Sequence, residues 1–285
     1  LNGLALFAGV GGLDLGINLL IPSSRTVCFV ERETYAASVL RAKMEEGRLH
    51  KAAIWSDVTT FNGRPFVEKV DYLSAGFPCQ PWSVAGHQNG TNDERWLWND
   101  IKRIICEVRP RFLFLENVPG LINGGVDPIL RDLASIGFDA EWGMLKASSV
   151  GARHHRKRFF LFGYVSDSNI SGVQKCTISK FQREEVPNIN GTDYNVQHSM
   201  CQGWPELIIS KEPCELGFIT GGHDKEWARS EWWLSEPPVG RVVNGLAHRV
   251  DRLRATGNGV VPLQAAIAYS ILIKRAIERG SLNGA

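Results

Sequence analysis

The sequence predicts an α/β fold in which a mainly parallel sheet carries helices on both faces. Two observations predict it. Short, continuous apolar runs that end in turn residues alternate with stretches whose apolar positions recur at helical spacing. Strands buried on both faces read as such continuous runs, and parallel neighbours need a helical crossover between them. A third points the same way: the glycine-rich turn Phe7-Ala8-Gly9-Val10-Gly11-Gly12 lies between the first apolar run and the first helical stretch, where α/β sheets hold nucleotide-like ligands.

In order along the chain, residues 4–7 read as the first strand and 13–20 as the first helix, followed by a strand at 26–30 and a helix at 35–44. Strands at 72–75 and 112–115 bracket a helix at 97–108, and a further helix spans 128–136. Two more strands are expected at 140–145 and 159–164, and a closing helix at 263–277. After Tyr164 the texture changes to a polar stretch of weak periodicity. It carries Trp204, Trp227, Trp232 and Trp233, too aromatic for simple disorder. The expected organisation is therefore a domain at 1–165, a small separate region at 166–240, and a segment at 241–285 that returns to the first domain.

At 285 residues with 44% hydrophobic side chains, the chain can bury a substantial core. No apolar run long enough to span a bilayer and no leader pattern appears, so neither a membrane nor export is expected. The six cysteines lack framework spacing, which favours a reducing, cytoplasmic setting with free thiols. A net charge of +2 decides little. Local clusters say more: Lys146, Arg153, His154, His155, Arg156, Lys157 and Arg158 form one basic segment, and Arg241, His248, Arg249, Arg252 and Arg254 another. Solvated faces are the plainer account of such runs. Cys176, His198, Cys201 and Cys214 lack the paired spacing of a zinc knuckle, so no metal is expected. Trp232 and Trp233 are taken as core of the small region.

The chemistry-bearing residues stand at the ends of predicted strands. Glu31 follows the second strand, about 20 residues after the glycine turn, where an acidic side chain can hold ribose hydroxyls. A dinucleotide fingerprint would want a third glycine where Asp14 stands, which disfavours a nicotinamide-dependent dehydrogenase and leaves other adenosine ligands open. Pro78-Cys79-Gln80 follows one strand, and Glu116-Asn117-Val118 closes another. Alone, the cysteine reads as an inert buried thiol and the glutamate as a surface charge. Together at one sheet edge they can face one site.

These segments resemble the ordered motifs of the DNA (cytosine-5) methyltransferase family: the turn at 6–12, Pro78-Cys79-Gln80, Glu116-Asn117-Val118, the basic run His154 to Arg158, Arg241-Val242-Val243-Asn244-Gly245, and Gly257-Asn258-Gly259-Val260-Val261-Pro262. The likeness covers nearly the whole chain outside about 166–236. The chain departs from the family pattern at Ala5, often aspartate there, and at His154, which stands for glutamine.

The resemblance implies a Rossmann-like class I methyltransferase domain with a small target-recognition region, a cytosine-5 methylation on double-stranded DNA, and S-adenosyl-L-methionine as cofactor, with S-adenosyl-L-homocysteine as product. It makes Cys79 the nucleophile and Glu116, Arg156 and Arg158 its catalytic partners. Phe7, Gly9, Gly11, Gly12, Glu31, Arg32, Asp57, Val58, Pro78, Leu97, Asn258 and Gly259 would hold the cofactor. Gln80, Ser83, Arg95 and Arg241 would contact DNA, and the loop 83–95 would close over an extruded base. Without the resemblance, Asp57 reads as a turn residue. A monomeric restriction-modification enzyme is expected, and the chain's size favours a bacterial or phage type over a chromatin enzyme. The main rival is a transfer-RNA cytosine-5 methyltransferase, followed by a silent binding module that keeps the fold.

Overall fold

The computed structural model describes residues 1–78, 96–165, 251 and 257–279. Cys79, Gln80, Ser83, Arg95, Arg241, the loop 83–95 and the region 166–240 with its tryptophans lie outside the described residues.

The described chain is built on a seven-stranded sheet. Strands β1 (Asn2–Leu6), β2 (Arg25–Val30), β3 (Ala53–Trp55), β4 (Tyr72–Gly76), β5 (Phe112–Asn117), β6 (Phe138–Lys146) and β7 (Lys157–Val165) lie in the order β3-β2-β1-β4-β5-β7-β6. Strands β1 to β5 are mutually parallel, whereas β7 runs antiparallel to both β5 and β6. The crossover through a helix carries the chain outward to β6. The link 147–156 is too short for another crossover, so β7 must return antiparallel and fills the gap beside β5. Strand β3 was not expected from sequence. It is a three-residue edge strand, Ala-Ile-Trp, too short for any periodicity.

Side chains alternate across the sheet. On one face Leu4, Leu6, Leu73, Ala75, Leu113, Leu115 and Leu161 pack under α3 (Trp98–Val108) and α4 (Val126–Ser135) through Ile101, Ile105, Ile129 and Leu133. On the other, Tyr72, Phe112, Phe114, Phe160 and Phe162 meet α1 (Gly12–Leu20) and α5 (Pro262–Glu278) through Leu13, Ile17, Ala265, Tyr269 and Ile273. Ala5 and Phe29, on that same face, are covered by α2 (Thr34–Glu45). The expected two-faced α/β arrangement is therefore present. Each such fully buried Leu, Ile or Phe side chain contributes about 1.5–3 kcal/mol.

The segment leading into α5 reaches the sheet because α1 offers glycine. A Cβ on Gly12 would stand 2.3 Å from the carbonyl oxygen of Val260. Val260 thus lies directly against the start of α1.

Candidate active site

Because β1 to β5 are parallel, their carboxyl ends share one edge: Phe7, Glu31, Asp57, Phe77 and Glu116 follow or end successive strands there. The start of antiparallel β7, with Arg158, comes to the same edge. This is where open α/β sheets bind ligands.

The turn after β1 is held in shape from several sides. Phe7 has φ 51°, Gly9 φ 54° and Gly11 φ 79°. Among the described residues beyond its chain neighbours, no heavy atom lies within 4 Å of where a Gly9 Cβ would stand. Glu31 Oε2 accepts a 2.6 Å hydrogen bond from the Gly9 N–H, and its Oε1 accepts from the Glu33 N–H at 2.7 Å. Lys43 on α2 donates to the Val10 carbonyl at 2.7 Å, and burial pulls its ammonium below the ordinary value. A carboxylate oxygen has two lone-pair sites, so Glu31 can brace the turn and still accept a ribose hydroxyl.

Neighbouring positions extend this cradle. Asp57 Oδ1 accepts from the backbone N–H and hydroxyl of Thr59, at 2.9 and 2.8 Å. Those bonds hold the carboxyl below the usual range, with Arg32 contributing a smaller pull. Asp57 therefore caps a turn, and it follows β3 at the carboxyl edge of the sheet. Val58 is buried in the core, and its carbonyl accepts from Arg103 of α3 at 2.9 Å. Leu97 lies at the N-terminus of α3, where its carbonyl accepts from the Ile101 N–H. An open turn with positive-φ glycines, an adjacent carboxylate and a second acidic group one strand over suits a nucleoside-bearing ligand such as S-adenosyl-L-methionine.

At the other end of the edge, Glu116 is opposite Gly76 in the β4–β5 pairing, two residues before Pro78. Its Oε1 pairs with Arg158 Nε at 2.9 Å, both side chains being nearly buried. Its Oε2 faces Gly76, 3.4 Å from where a Cβ would be. Behind it Phe114 and Phe160 pack edge-on against Tyr269, whose hydroxyl donates to the Leu115 carbonyl at 3.0 Å. Burial pushes the Glu116 carboxyl up to about 7, against the opposing pull of Arg158 and Arg156. Asn117 donates to the Phe77 carbonyl at 3.1 Å and accepts from the Val118 N–H at 2.8 Å. It thereby ties the chain just before Cys79 to the strand bearing Glu116.

Arg158 and Arg156 differ in where their charge goes. Arg158 is on the carboxylate. Arg156 Nη1 donates to the Gly257 carbonyl at 2.8 Å and Nη2 donates to that of Gly259, so its fork spans the two carbonyls that flank Asn258. Burial, then the neighbouring Arg158, brings its guanidinium down to about 10.

Sequence reading missed Lys43, Arg103, Gln264 and Tyr269, all of which brace these segments. It also treated Asp14 only as a missing glycine. Asp14 is fully buried, accepts from Ser74 Oγ at 3.0 Å and Thr26 Oγ1 at 3.4 Å, and is pushed up to about 6 by burial. A charged residue on the inward stripe of an apolar helix, Leu13-Asp14-Leu15-Gly16-Ile17, was the available signal.

Residues 1–211 match the family model described as C-5 cytosine-specific DNA methylase. The chain is 34% identical over 231 residues to the Type II methyltransferase M.CviJI of Paramecium bursaria Chlorella virus IL3A, covering 79% of this chain and 61% of that protein. It is 34% identical over 229 residues to the Type II methyltransferase M.NlaX of Neisseria lactamica, covering 78% and 71%. Against other curated relatives it spans less, for example 49% of M.NgoPII of Neisseria gonorrhoeae. Among solved structures, that of the S. pombe Dnmt2 methyltransferase matches with a TM-score of 0.57 at 15% identity, over 96% of this chain and 99% of that one, a likeness of fold. Among the described residues no helix is long and apolar enough to cross a membrane, and no cluster of metal-binding side chains occurs.

Proposed function

The chain belongs to the C-5 cytosine-specific DNA methylase family, and on that premise we propose that it methylates C5 of a cytosine flipped out of double-stranded DNA, through a covalent bond between Cys79 and C6. The observation that carries this reading is the buried Glu116–Arg158 pair, one strand over from Pro78, with the carboxyl pushed up to about 7. A surface ion pair would have no reason to hold its proton near neutrality. A carboxyl that must hand a proton to a ring nitrogen does.

Cytosine C5 is a poor nucleophile until C6 is attacked. The Cys79 thiolate adds to C6, and the displaced electron pair moves into the ring toward N3 and O2. Glu116 supplies a proton at N3, and Arg158 stabilises the charge at O2 as an oxyanion-hole donor does. C5 is then enamine-like and able to take a methyl group. Loss of the C5 proton to a base re-forms the C5–C6 double bond as the Cys79 thiolate leaves, and the N3 proton returns to Glu116. S-adenosyl-L-methionine supplies an electrophilic methyl group on a sulfonium when bound. Phe7, Gly9, Gly11, Gly12, Glu31, Arg32, Asp57, Val58, Pro78, Leu97, Asn258 and Gly259 would hold it. Unstacking the base costs a few kcal/mol. Phosphate contacts from the basic segments, with Gln80, Ser83, Arg95 and Arg241, offset that cost.

The region 166–240 would read the DNA sequence, phosphate contacts themselves carrying no sequence information. Exchanging it for that of a relative should move methylation to other cytosines, mapped by bisulfite sequencing; an active chimera with unchanged sites would place specificity elsewhere. The enzyme would work in the cytoplasm of a bacterial or virus-infected cell.

Duplex DNA carrying 5-fluorocytosine tests the covalent step. Fluorine cannot leave as a proton does, so the wild-type adduct should persist in denaturing gels with S-adenosyl-L-methionine present, and be absent with Cys79→Ser. An adduct that survives in that variant would assign the nucleophile to another residue.

A further inference from the structure

Building on the methyltransferase reading, we infer that Arg156 is a positioning residue for the cofactor side of the reaction: it clamps residues 257–259 against the sheet edge and acts through them, not on the cytosine ring. One planar guanidinium bonds the carbonyls on both sides of Asn258, at Gly257 and Gly259. A rigid fork of donors suits two acceptors at a set spacing far better than a single ammonium does. The Glu116 oxygen nearest β7 is already taken by Arg158. Among the described residues the remaining Arg156 nitrogen, Nε, is buried without a hydrogen-bond partner, and the hydrogen bonds of the Arg156 side chain go to Gly257 and Gly259, not to the Glu116 carboxylate.

The backbone of Arg156 is gripped from the same returning segment. Gln264, in the first turn of α5 and fully buried, donates through Nε2 to the Arg156 carbonyl at 3.0 Å and to the Leu145 carbonyl at 2.9 Å. Arg156 has φ 21°, a strained value for a residue with a side chain, which persists only where surrounding contacts over-determine it. Side chain and main chain of one residue are thus both tied to 257–264, a hundred positions away. The tied segment is followed directly by Val260, which packs against the first residue of α1, its carbonyl oxygen 2.3 Å from where a Gly12 Cβ would stand. Removing the clamp frees the segment that carries Asn258, while Glu116 and Arg158 keep their own contact.

Calorimetric titration with S-adenosyl-L-homocysteine, single-turnover methylation at saturating cofactor, and thermal melting of each protein test this. Losing two charge-assisted hydrogen bonds in Arg156→Ala should raise the S-adenosyl-L-homocysteine Kd about tenfold or more. The saturated rate should fall by no more than about threefold. Arg156→Lys should recover part of the affinity. Gln264→Met should weaken binding in the same direction. Arg158→Ala should do the reverse, with little change in Kd and a large fall in rate. If Arg156→Ala does not fold, Arg156→Lys and Gln264→Met carry the same comparison. An unchanged Kd with a collapsed rate would put Arg156 on the ring. A lower melting temperature with Kd and rate unchanged would make it a mere staple of the fold. Either result overturns the inference while leaving the methyltransferase reading intact, whereas a wild-type protein that binds no S-adenosyl-L-homocysteine removes that reading and the inference with it.

Discussion

Replacing Glu116 by glutamine should change the shape of the pH–rate profile as well as its height. Glu116 is buried opposite Phe160 in the β5–β7 pairing, and burial pushes its carboxyl from 4.5 up to about 7, with Arg158 and Arg156 pulling the other way. A carboxyl at 4.5 is about 0.3% protonated at pH 7, and one at about 7 is about half protonated. Burial therefore raises the proton-donating population roughly 150-fold, worth about 3 kcal/mol. The sign follows from the raised value: the acid form is present below about 7 and lost above it, so the rate of the chemical step should fall tenfold per pH unit on the alkaline side. Ionisation of the nucleophilic thiol works in the opposite sense, since the thiolate is the reactive form. The wild-type profile should be a bell. The amide of the Glu116→Gln enzyme does not titrate, so that enzyme should be about a hundredfold slower or more at pH 6.5 and show only the rising limb. Rapid-quench single turnovers from pH 5.5 to 9 at saturating cofactor and DNA would measure both. An alkaline limb of the same midpoint in the variant would mean that another group titrates, and the proton-donor role of Glu116 would fail.

Two further outcomes bear on the frame around the site. Asp14→Asn should stabilise the protein by up to about 3 kcal/mol at pH 8 and by almost nothing below pH 4. The carboxyl rises from 3.8 to about 6 on folding, so the native state carries the cost of ionising it only as pH climbs through that window; urea denaturation giving equal effects at pH 4 and pH 8 would refute the burial account. Gly12→Ala should lower stability by about 1–3 kcal/mol through overpacking and weaken cofactor binding, because the new methyl would meet the Val260 carbonyl at 2.3 Å. Unchanged melting and cofactor titration together would show that Val260 does not press on the start of α1.

The fold class, the glycine turn and the strand-end placement of Glu31 and Glu116 were legible in the sequence because each is a local signal. Apolar runs of strand length, helical periodicity and turn residues act over a few positions, and their order along the chain implies which edge collects the loops. The same reasoning could not see β3, whose three residues carry no period, nor the antiparallel return of β7, which depends on what space remains beside β5. Arg156 and Arg158, two residues apart in one basic run, look alike in sequence. Tertiary structure alone separates them, sending one to a carboxylate across a strand pair and the other to carbonyls more than a hundred positions away. Gln264 and Tyr269 were likewise invisible, because a helix pattern records which face is buried and not which backbone carbonyl a buried polar group will meet. Asp14, finally, owes its raised pKa to burial, against the opposing pull of the hydrogen bonds from Ser74 and Thr26. Which side chains a carboxyl is buried among is decided by packing between distant segments, so the chemistry of single residues was written locally and their electrostatics only in three dimensions.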